Sequence, residues 1–260
     1  MNALLAKRLV RRSKIVLATV YHPMSPPSLP LLLTLTLSFL TCGSGAAEPL
    51  RLITMGDSIT RGLGAPLKPG ETFAALVEKA LVEKGIVLEM SNATVGGDAV
   101  NALKHLQAEV LDKKPHLVTL MFGTNDSYVG KGETDGRNTL AEYETALRAM
   151  ISALTKAGVR TVLMTSPPWA EGAAPDGLNQ SPNVRLLPYV EACRAVAKDT
   201  LTPLVDHHAH WSAAAKSGVN LKDWMGDFCH PNVRGHQEMA SQILPVLMPL
   251  AQALAMTVRP

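Results

Sequence analysis

Short apolar runs alternate along the chain with segments whose apolar residues repeat at helical spacing. The runs show no strict alternation of apolar and polar residues, which is typical of strands buried on both faces of a sheet. We therefore predict five strands, over Leu50–Met55, Ile86–Met90, Leu117–Phe122, Val159–Thr165 and Leu204–Asp206.

The segments between these strands are predicted to be helices. Phe73, Val77 and Leu81 share one face of the first long segment, and Gly85 marks its end. The run Thr139–Glu142 matches a capping box, in which a threonine and a glutamate satisfy the first free N–H groups of a helix.

Three prolines bear on where the later helices begin and end. Pro188 fits the first turn of a helix that buries Tyr189 and Cys193, because proline is tolerated where no N–H is needed. Pro245 and Pro249 lie inside the last apolar segment. We expect them to kink or end that helix.

Alternation of strand and helix favours an α/β fold, with a five-stranded parallel sheet between two helical layers. In such sheets, sites form beyond the carboxyl ends of the strands. Ser58 follows the first strand, Gly97 the second and Asn125 the third, while His230 follows the last. We therefore expect these residues to converge at one edge of the sheet.

Ser58 and His230 are a candidate nucleophile and base. A serine hydroxyl is a poor nucleophile until a positioned base accepts its proton. We assign that role to His230, oriented by Asp227 three residues earlier. Structural alternatives stay open: Ser58 as a helix N-cap, and Asp227 with His230 as an incidental surface pair. A backbone carbonyl could also hold the histidine in place of Asp227.

Gly97 and Asn125 are candidate donors of an oxyanion hole, together with the backbone N–H of Ser58. Acyl transfer needs such fixed donors, because charge builds on the carbonyl oxygen in the transition state. Gly96 is the fallback donor, and simple turn roles are the structural alternative. The acidic neighbours are expected to hold the loops or cap a helix; they are Asp57, Asp98 and Asp126.

Histidines cluster near the fifth strand, at positions His207, His208 and His210. They lack the spacing of a zinc site and have no evident fourth ligand. We expect them to be solvated residues at a helix start, and His236 to lie on a helix surface. No metal and no cofactor are predicted. Cys193 and Cys229 allow one disulfide outside the cytoplasm, which the sequence does not establish.

Residues 1–47 differ in composition from the rest of the chain. They hold five basic residues and no acidic one, then an apolar run too short to span a bilayer, then small residues. We predict a signal peptide with an N-terminal extension, cleaved after Ala47, and one domain over 48–260 that is secreted or periplasmic. Lipoprotein anchoring at Cys42 is the lesser alternative, and Met24 is an alternative start.

Loss of residues 1–47 would change the charge balance. It removes five of the 25 Lys and Arg residues and none of the 22 Asp and Glu residues, so the formal charge moves from +3 to −2. A near-neutral domain gives no reason to expect nucleic acid as a partner. We expect no stable membrane span after signal removal, and the oligomeric state stays open.

The segments around Ser58, Gly97, Asn125 and His230 resemble the four blocks of the SGNH (GDSL-type) hydrolases, a superfamily of esterases, lipases and carbohydrate deacetylases. The resemblance covers essentially all of residues 50–250 and implies a flavodoxin-like three-layer fold. The layout of Thr165–Pro168, Leu178–Asn179, Tyr189 and Cys193 is also similar to the isoamyl-acetate esterase type.

Two departures from the family pattern bear on the subfamily. Thr124 stands in place of a frequent glycine, and Ile59 in place of a frequent leucine. Neither changes a chemical role, so the expected activity is unaffected and only the substrate is left open.

The resemblance implies a serine esterase that hydrolyses carboxylic esters through an acyl-enzyme. We expect a short-acyl, acetyl-type substrate, either a small-molecule or a carbohydrate ester, with Tyr128 and Trp169 walling the pocket. The same residues leave other functions open: carbohydrate O-acetylesterase, lysophospholipase or thioesterase, acyl transfer to a sugar, and an inactive carbohydrate-binding domain.

Overall fold

The computed structural model describes residues 48–258. Five parallel strands form one sheet in the order β2-β1-β3-β4-β5. They are β1 (Leu50–Gly56), β2 (Leu88–Ala93), β3 (Leu117–Phe122), β4 (Arg160–Thr165) and β5 (Leu204–Val205). The predicted signal segment, with its cleavage site and Cys42, lies outside the described residues.

Helices cover both faces of the sheet. Their bounds are α1 (Ser58–Arg61), α2 (Phe73–Glu83), α3 (Ala99–Glu109), α4 (Thr124–Ser127), α5 (Leu140–Lys156), α6 (Pro182–Asp199), α7 (His207–Lys216) and α8 (Val233–Thr257). Two short 3₁₀ turns occupy Leu111–Lys113 and Leu221–Trp224.

The apolar core lies in two layers, one on each side of the sheet. One layer joins α2, α7 and α8 to strand residues such as Leu52 and Met121, and the other joins α3, α5 and α6 to residues such as Ile53 and Leu120. Successive residues of a strand point to opposite faces, so β1 and β3 contribute to both layers. The predicted three-layer α/β fold with a five-stranded parallel sheet is confirmed.

The second strand begins and ends later than predicted. It runs Leu88–Ala93 instead of Ile86–Met90, and it pairs with β1 through Ser91 and Asn92. β2 is an edge strand with half of its side chains exposed, so polar residues continue the pairing there. The bounds predicted for β2 from hydrophobicity alone were therefore wrong.

The capping box at Thr139 is confirmed. The Thr139 hydroxyl accepts the Glu142 N–H, and the Glu142 carboxylate accepts the Thr139 N–H at 2.8 Å. α2 likewise buries Phe73, Val77 and Leu81, as predicted.

The prolines do not mark helix ends as predicted, although the helix that contains Pro188 does bury Tyr189 and Cys193. α6 begins at Pro182, so Pro188 lies inside the helix and not in its first turn. α8 continues through both Pro245 and Pro249, which lie on its exposed side. The opposite side is a buried stripe at four-residue spacing, Met239, Ile243, Leu247 and Ala251, and its packing holds the helix together despite the missing N–H donors.

Among residues 48–258, α8 is the one helix long and apolar enough to cross a membrane by length and composition. Here its buried stripe packs on the core beside α2. A core helix meets the same criteria as a membrane span, so the composition of α8 by itself does not distinguish between the two.

Candidate functional site

Ser58, His230 and Asp227 meet at the carboxyl-terminal edge of the sheet. His230 Nε2 lies 2.8 Å from Ser58 Oγ, and His230 Nδ1 lies 2.7 Å from Asp227 Oδ2. Ser58 and His230 are 172 positions apart in the sequence. A hydroxyl, an imidazole and a carboxylate in this order can transfer a proton from the hydroxyl to the ring.

Ser58 is held by the turn that follows β1. Asp57 is the N-cap of α1, and its Oδ1 accepts the Ile59 N–H at 2.9 Å. Gly56 cannot carry a side chain, because a Cβ there would lie 2.8 Å from the Met121 carbonyl oxygen. The predicted structural role of Asp57 is thus confirmed, and Ser58 is the first residue of α1 instead of its cap.

Asp57 is fully buried behind the serine. Burial raises the pKa of its carboxyl to about 7, although the hydrogen bond from Ile59 opposes the shift, and the nearby Asp126 carboxylate adds to it. A buried carboxylate next to another one favours its protonated form.

The loop that carries His230 is closed by backbone and carboxylate bonds. Asp227 Oδ1 accepts the N–H groups of both Cys229 and His230 at 2.8 Å, and the Gly226 N–H donates to the His230 carbonyl at 2.8 Å. Burial alone would raise the pKa of Asp227, but these N–H groups and the imidazole bring it below its ordinary value. Asp227 therefore remains a carboxylate at neutral pH.

Asn232 fixes the base of the same loop. Its side-chain amide donates to the Asp223 and Met225 carbonyls at 3.1 Å, and its Oδ1 caps α8 by accepting the Gly235 N–H. The His230 loop is thereby tied to the start of α8. The sequence gives a signal for this residue, because asparagine before a helix is a common N-cap.

Asn125 and Gly97 lie together at the ends of β3 and β2. Asn125 Nδ2 donates to the Gly97 carbonyl at 2.6 Å, and this bond uses one of the two N–H groups of the amide. Gly97 has a φ of +75°, which favours glycine. The loops that the sequence predicts to carry oxyanion donors are thus in direct contact.

Asn138 connects these loops and was not predicted. Its Nδ2 donates to Asp98 Oδ1 at 3.0 Å and to Asp126 Oδ1 at 2.8 Å. Asp126 also accepts the Ala99 N–H, and Asp98 caps α3, so both carboxylates have the anchoring and capping roles that we predicted. Burial raises the pKa of Asp126 to about 6. No local sequence pattern marks Asn138, because its partners are distant in the chain.

Tyr128 and Trp169 stack on each other, with ring centroids 5.9 Å apart and planes 19° apart. Tyr128 also borders an open cleft of about 570 Å³, whose other wall includes Arg137. A Cβ built on Gly97 would lie 3.9 Å from Arg137 Nη1, so the cleft adjoins the Gly97 loop. Sequence reasoning missed Arg137, whose position depends on a loop without regular structure.

Two predictions about histidines were wrong. His207 is not solvated: it is fully buried, and burial lowers its pKa to about 3. His236 does not lie on the helix surface: it is buried beneath α2, where its Nδ1 accepts the Phe73 N–H at 3.1 Å, and burial lowers its pKa to about 4. Both face the core because α7 and α8 turn these positions inward, which the polar sequence context does not reveal.

Cys193 and Cys229 are both free thiols, so they do not form the disulfide that the sequence left open. Cys193 is buried under β4, whereas Cys229 lies beside the candidate site, with its Sγ 3.4 Å from His230 Nδ1. Burial raises the pKa of the Cys229 thiol to about 12, and Asp227 adds to the shift. The thiol is therefore neutral and a weak nucleophile by itself.

Comparison with known proteins gives one family. A model of the GDSL-like lipase/acylhydrolase family matches residues 54–238. The chain is 28% identical over 211 residues to the isoamyl acetate-hydrolyzing esterase 1 homolog of Bos taurus, covering 76% of this chain and 81% of that protein. It is 26% identical over 204 residues to esterase TesA of Pseudomonas aeruginosa, covering 76% and 88%. An uncharacterized lipoprotein of Bacillus subtilis is 30% identical over 142 residues, covering 52% and 56%.

Solved structures share the fold. The crystal structure of TesA superposes with a TM-score of 0.58 at 23% identity, covering 77% of this chain and 99% of that one. An acetyl-xylooligosaccharide esterase from Geobacillus superposes with a TM-score of 0.61 at 22% identity, covering 77% and 96%.

Proposed function

Because the chain belongs to the GDSL-like lipase/acylhydrolase family and is a carboxylic ester hydrolase acting on small-molecule esters, we propose that Ser58, His230 and Asp227 are its catalytic triad. The observation that carries the proposal is the 2.8 Å separation of Ser58 Oγ and His230 Nε2, made by residues from the first and last loops of the sheet. The 2.7 Å bond from His230 Nδ1 to Asp227 supports the same assignment.

In this mechanism, Ser58 Oγ attacks the ester carbonyl while His230 Nε2 takes its proton. The ring then returns that proton to the leaving alcohol, and Asp227 stabilises the imidazolium in between. Water, activated by the same nitrogen, releases the acid from the acyl-enzyme. No step requires a cofactor.

We assign the oxyanion hole to the N–H groups of Ser58 and Gly97 and to the Asn125 side-chain amide. Asn125 supports this assignment because its second N–H is not needed by the Gly97 carbonyl. Donors fixed before reaction stabilise the developing negative charge without reorganisation.

A short acyl group, such as acetyl, is the substrate that we propose. The isoamyl acetate-hydrolyzing relatives support a short acyl chain. Tyr128 and Trp169 are assigned to the pocket wall, because they stack beside the cleft that adjoins Gly97.

A carbohydrate O-acetylester is the second candidate. The cleft combines the half-exposed Tyr128 ring with Glu133, Asp135 and Arg137. Aromatic faces with nearby charged hydrogen-bonding groups suit a sugar better than an aliphatic chain.

We further propose that residues 1–47 direct export and that 48–260 is the mature domain. Support comes from the basic, apolar and small-residue order of the segment, and from the lipoprotein among the relatives. N-terminal sequencing of the exported protein tests this: a start at Glu48 is expected, and a start at Met1 would contradict it.

The experiment that tests the triad is hydrolysis of p-nitrophenyl acetate by the Ser58→Ala variant. The variant should lose activity while its circular dichroism spectrum is unchanged. In a second measurement, an organophosphonate should add the mass of one adduct to the parent protein and none to the variant. Undiminished turnover by the variant, or an adduct on another residue, would reject the assignment.

An acyl-chain series separates the substrate candidates. Acetate esters should turn over faster than octanoate esters, and acetylated xylan should be compared with lysophospholipid. Adding an acceptor sugar and analysing products distinguishes hydrolysis from acyl transfer. Glycan binding without any hydrolysis by the parent protein would point to the inactive binding domain.

A further inference from the structure

A third side chain lies next to the triad imidazole. Cys229 Sγ is 3.4 Å from His230 Nδ1, on the side of the ring that faces Asp227. The thiol sulfur, a ring nitrogen and a carboxylate oxygen of these three residues all lie within 4.8 Å of one another. Asp227 is exposed and the other two are half-buried, so ions in solution can reach them.

We propose that Asp227, Cys229 and His230 form a binding site for a thiophilic divalent ion, such as Zn²⁺ or Cd²⁺, and that its occupation reversibly inhibits ester hydrolysis. The inhibitory part rests on the proposed function, because it takes His230 as the catalytic base.

The geometry needs only a small change to accept the ion. Ligands of tetrahedral zinc bind at about 2.0–2.3 Å and are therefore about 3.3–3.8 Å apart. The present Sγ–Nδ1 distance of 3.4 Å already falls in that range, whereas the Nδ1–Oδ2 distance of 2.7 Å is too short. The Asp227 side chain is 44% exposed, so its carboxylate has room to move outward. Water would complete the coordination.

The donor set selects among metal ions. Mg²⁺ and Ca²⁺ prefer oxygen ligands, whereas sulfur with an imidazole suits Zn²⁺ and Cd²⁺. A free thiol must give up its proton to become a ligand. Binding therefore releases the Cys229 proton to solvent, and only ions with a strong affinity for sulfur are expected to bind.

Inhibition follows from the tautomer of the imidazole. In the triad, Nδ1 carries the proton and donates to Asp227, which leaves Nε2 free to accept from Ser58. A metal ion on Nδ1 takes that position, and the imidazole proton moves to Nε2. The ring stays neutral, but Nε2 is then a donor and cannot take the proton of Ser58. The nucleophile loses its base although Ser58 itself is untouched.

Inhibition of the full-length protein by ZnCl₂ tests the proposal, with Cys229→Ser as the variant and Cys193→Ser as its matched control. Zn²⁺ should inhibit the parent, EDTA should restore activity, and Mg²⁺ should have no effect. Cys229→Ser should retain basal kcat/KM and raise the half-inhibitory Zn²⁺ concentration at least tenfold, while Cys193→Ser keeps the parent's sensitivity. Equal sensitivity of parent and Cys229→Ser, or no inhibition of either, would overturn the proposal.

Metal binding is measured separately in the Ser58→Ala background, which needs no activity. Cd²⁺ should produce an ultraviolet thiolate-to-metal charge-transfer band with one equivalent, and the added Cys229→Ser substitution should remove that band. Absence of a Cys229-dependent band would contradict the site. A normal band together with full activity of the Cd²⁺-loaded parent would instead contradict the role of His230 as base, and with it the proposed function.

Discussion

Gly64 lies directly against the imidazole of His230. A Cβ placed on Gly64 would be 2.3 Å from His230 Cβ and 2.6 Å from Nδ1, which no real structure tolerates. Gly226, in the histidine loop, is packed as tightly, since a Cβ there would lie 2.7 Å from the Gly64 carbonyl oxygen. The segment after α1 thus forms one wall of the space in which the ring sits.

Gly64→Ala should therefore displace His230 and lower kcat/KM about 10²-fold, because a shift of about 1 Å in a catalytic group has that effect. Gly70→Ala is the matched control: Gly70 lies in the same loop with a similar φ of +91°, but a Cβ there meets nothing within 4 Å. Steady-state kinetics and thermal melts of both variants check the prediction. If both lose activity equally, backbone strain is responsible and not contact with the ring.

Asn125→Ala should lower kcat by about 10²–10³ with little change in KM, because an oxyanion donor acts in the transition state. Asn101→Ala is a suitable control, since Asn101 Nδ2 holds the neighbouring Gly96 carbonyl at 3.2 Å as Asn125 holds that of Gly97. Kinetics with p-nitrophenyl acetate measure both. A comparable loss in Asn101→Ala would attribute the effect to a loosened loop.

Stability should depend on the ionisation of Asp57. Its pKa is about 7 in the folded protein against an ordinary 3.8, so the folded state holds the proton more tightly. This contribution is fully present below about pH 4 and is lost as the pH rises through 7. Asp57→Asn keeps the acceptor for Ile59 but does not ionise.

Urea unfolding of parent and Asp57→Asn at pH 4 to 8 checks this expectation. The free energy of unfolding of the parent should fall relative to the variant by up to ~4 kcal/mol over that range. A difference that does not change with pH would rule out a buried titrating carboxyl at position 57.

The ionisation of His207 should change the pH dependence of stability in the direction opposite to that of Asp57. Its folded-state pKa of about 3 is below the ordinary 6.5, so the stability that it allows is present above pH 6.5 and is lost as the pH falls towards 3. His207→Leu removes this proton uptake and leaves no unpaired ring nitrogen in the core. The free energy of unfolding of the variant minus that of the parent should be roughly 2 kcal/mol larger at pH 5 than at pH 7. Chemical unfolding at the two pH values tests this, and an unchanged difference would contradict it.

Tyr128→Ala should raise KM for an acetylated xylo-oligosaccharide by roughly tenfold, the order of one lost aromatic contact. The kcat for p-nitrophenyl acetate should stay the same, because the ring does not touch the reacting atoms in the proposed mechanism. Met256→Ala, an exposed residue on α8, is the control. Equal effects on both substrates would show that Tyr128 contacts only the acyl group, which the two substrates share, and not the sugar.

The fold and the meeting of Ser58 with His230 followed from the sequence because both depend on one rule. Parallel strands end at a common edge, so residues after each strand converge whatever their separation in the chain. The same rule brought Asn125 to Gly97. Loop anchors such as Asp57 were predictable from local hydrogen bonding, since an aspartate before a helix caps it.

The predictions that failed concern properties set by tertiary contacts, which the local sequence does not show. Whether His207 faces solvent or core depends on the rotation of α7 against the sheet. Whether Pro249 ends α8 depends on the packing of the helix's other face. Gly64 gains its role from the distant His230, and Asn138 gains its role from Asp98 and Asp126, which lie 40 and 12 positions away. No neighbour in the sequence indicates either residue. Arg137 is similar, because its loop has no periodicity from which to place it.

The strand order has a consequence for how the activity first arises during synthesis. β1, which precedes Ser58, lies in the interior of the sheet between β2 and β3, while His230 is made only after β5 and reaches the serine just before α8 begins. A ribosome-bound chain that has exposed four strands has its hydroxyl but no proton acceptor. With Ser58 and His230 as the proposed nucleophile and base, ester cleavage would report that the His230 loop has been made and has reached the serine, and a polypeptide that ends before His230 would be silent in any activity screen.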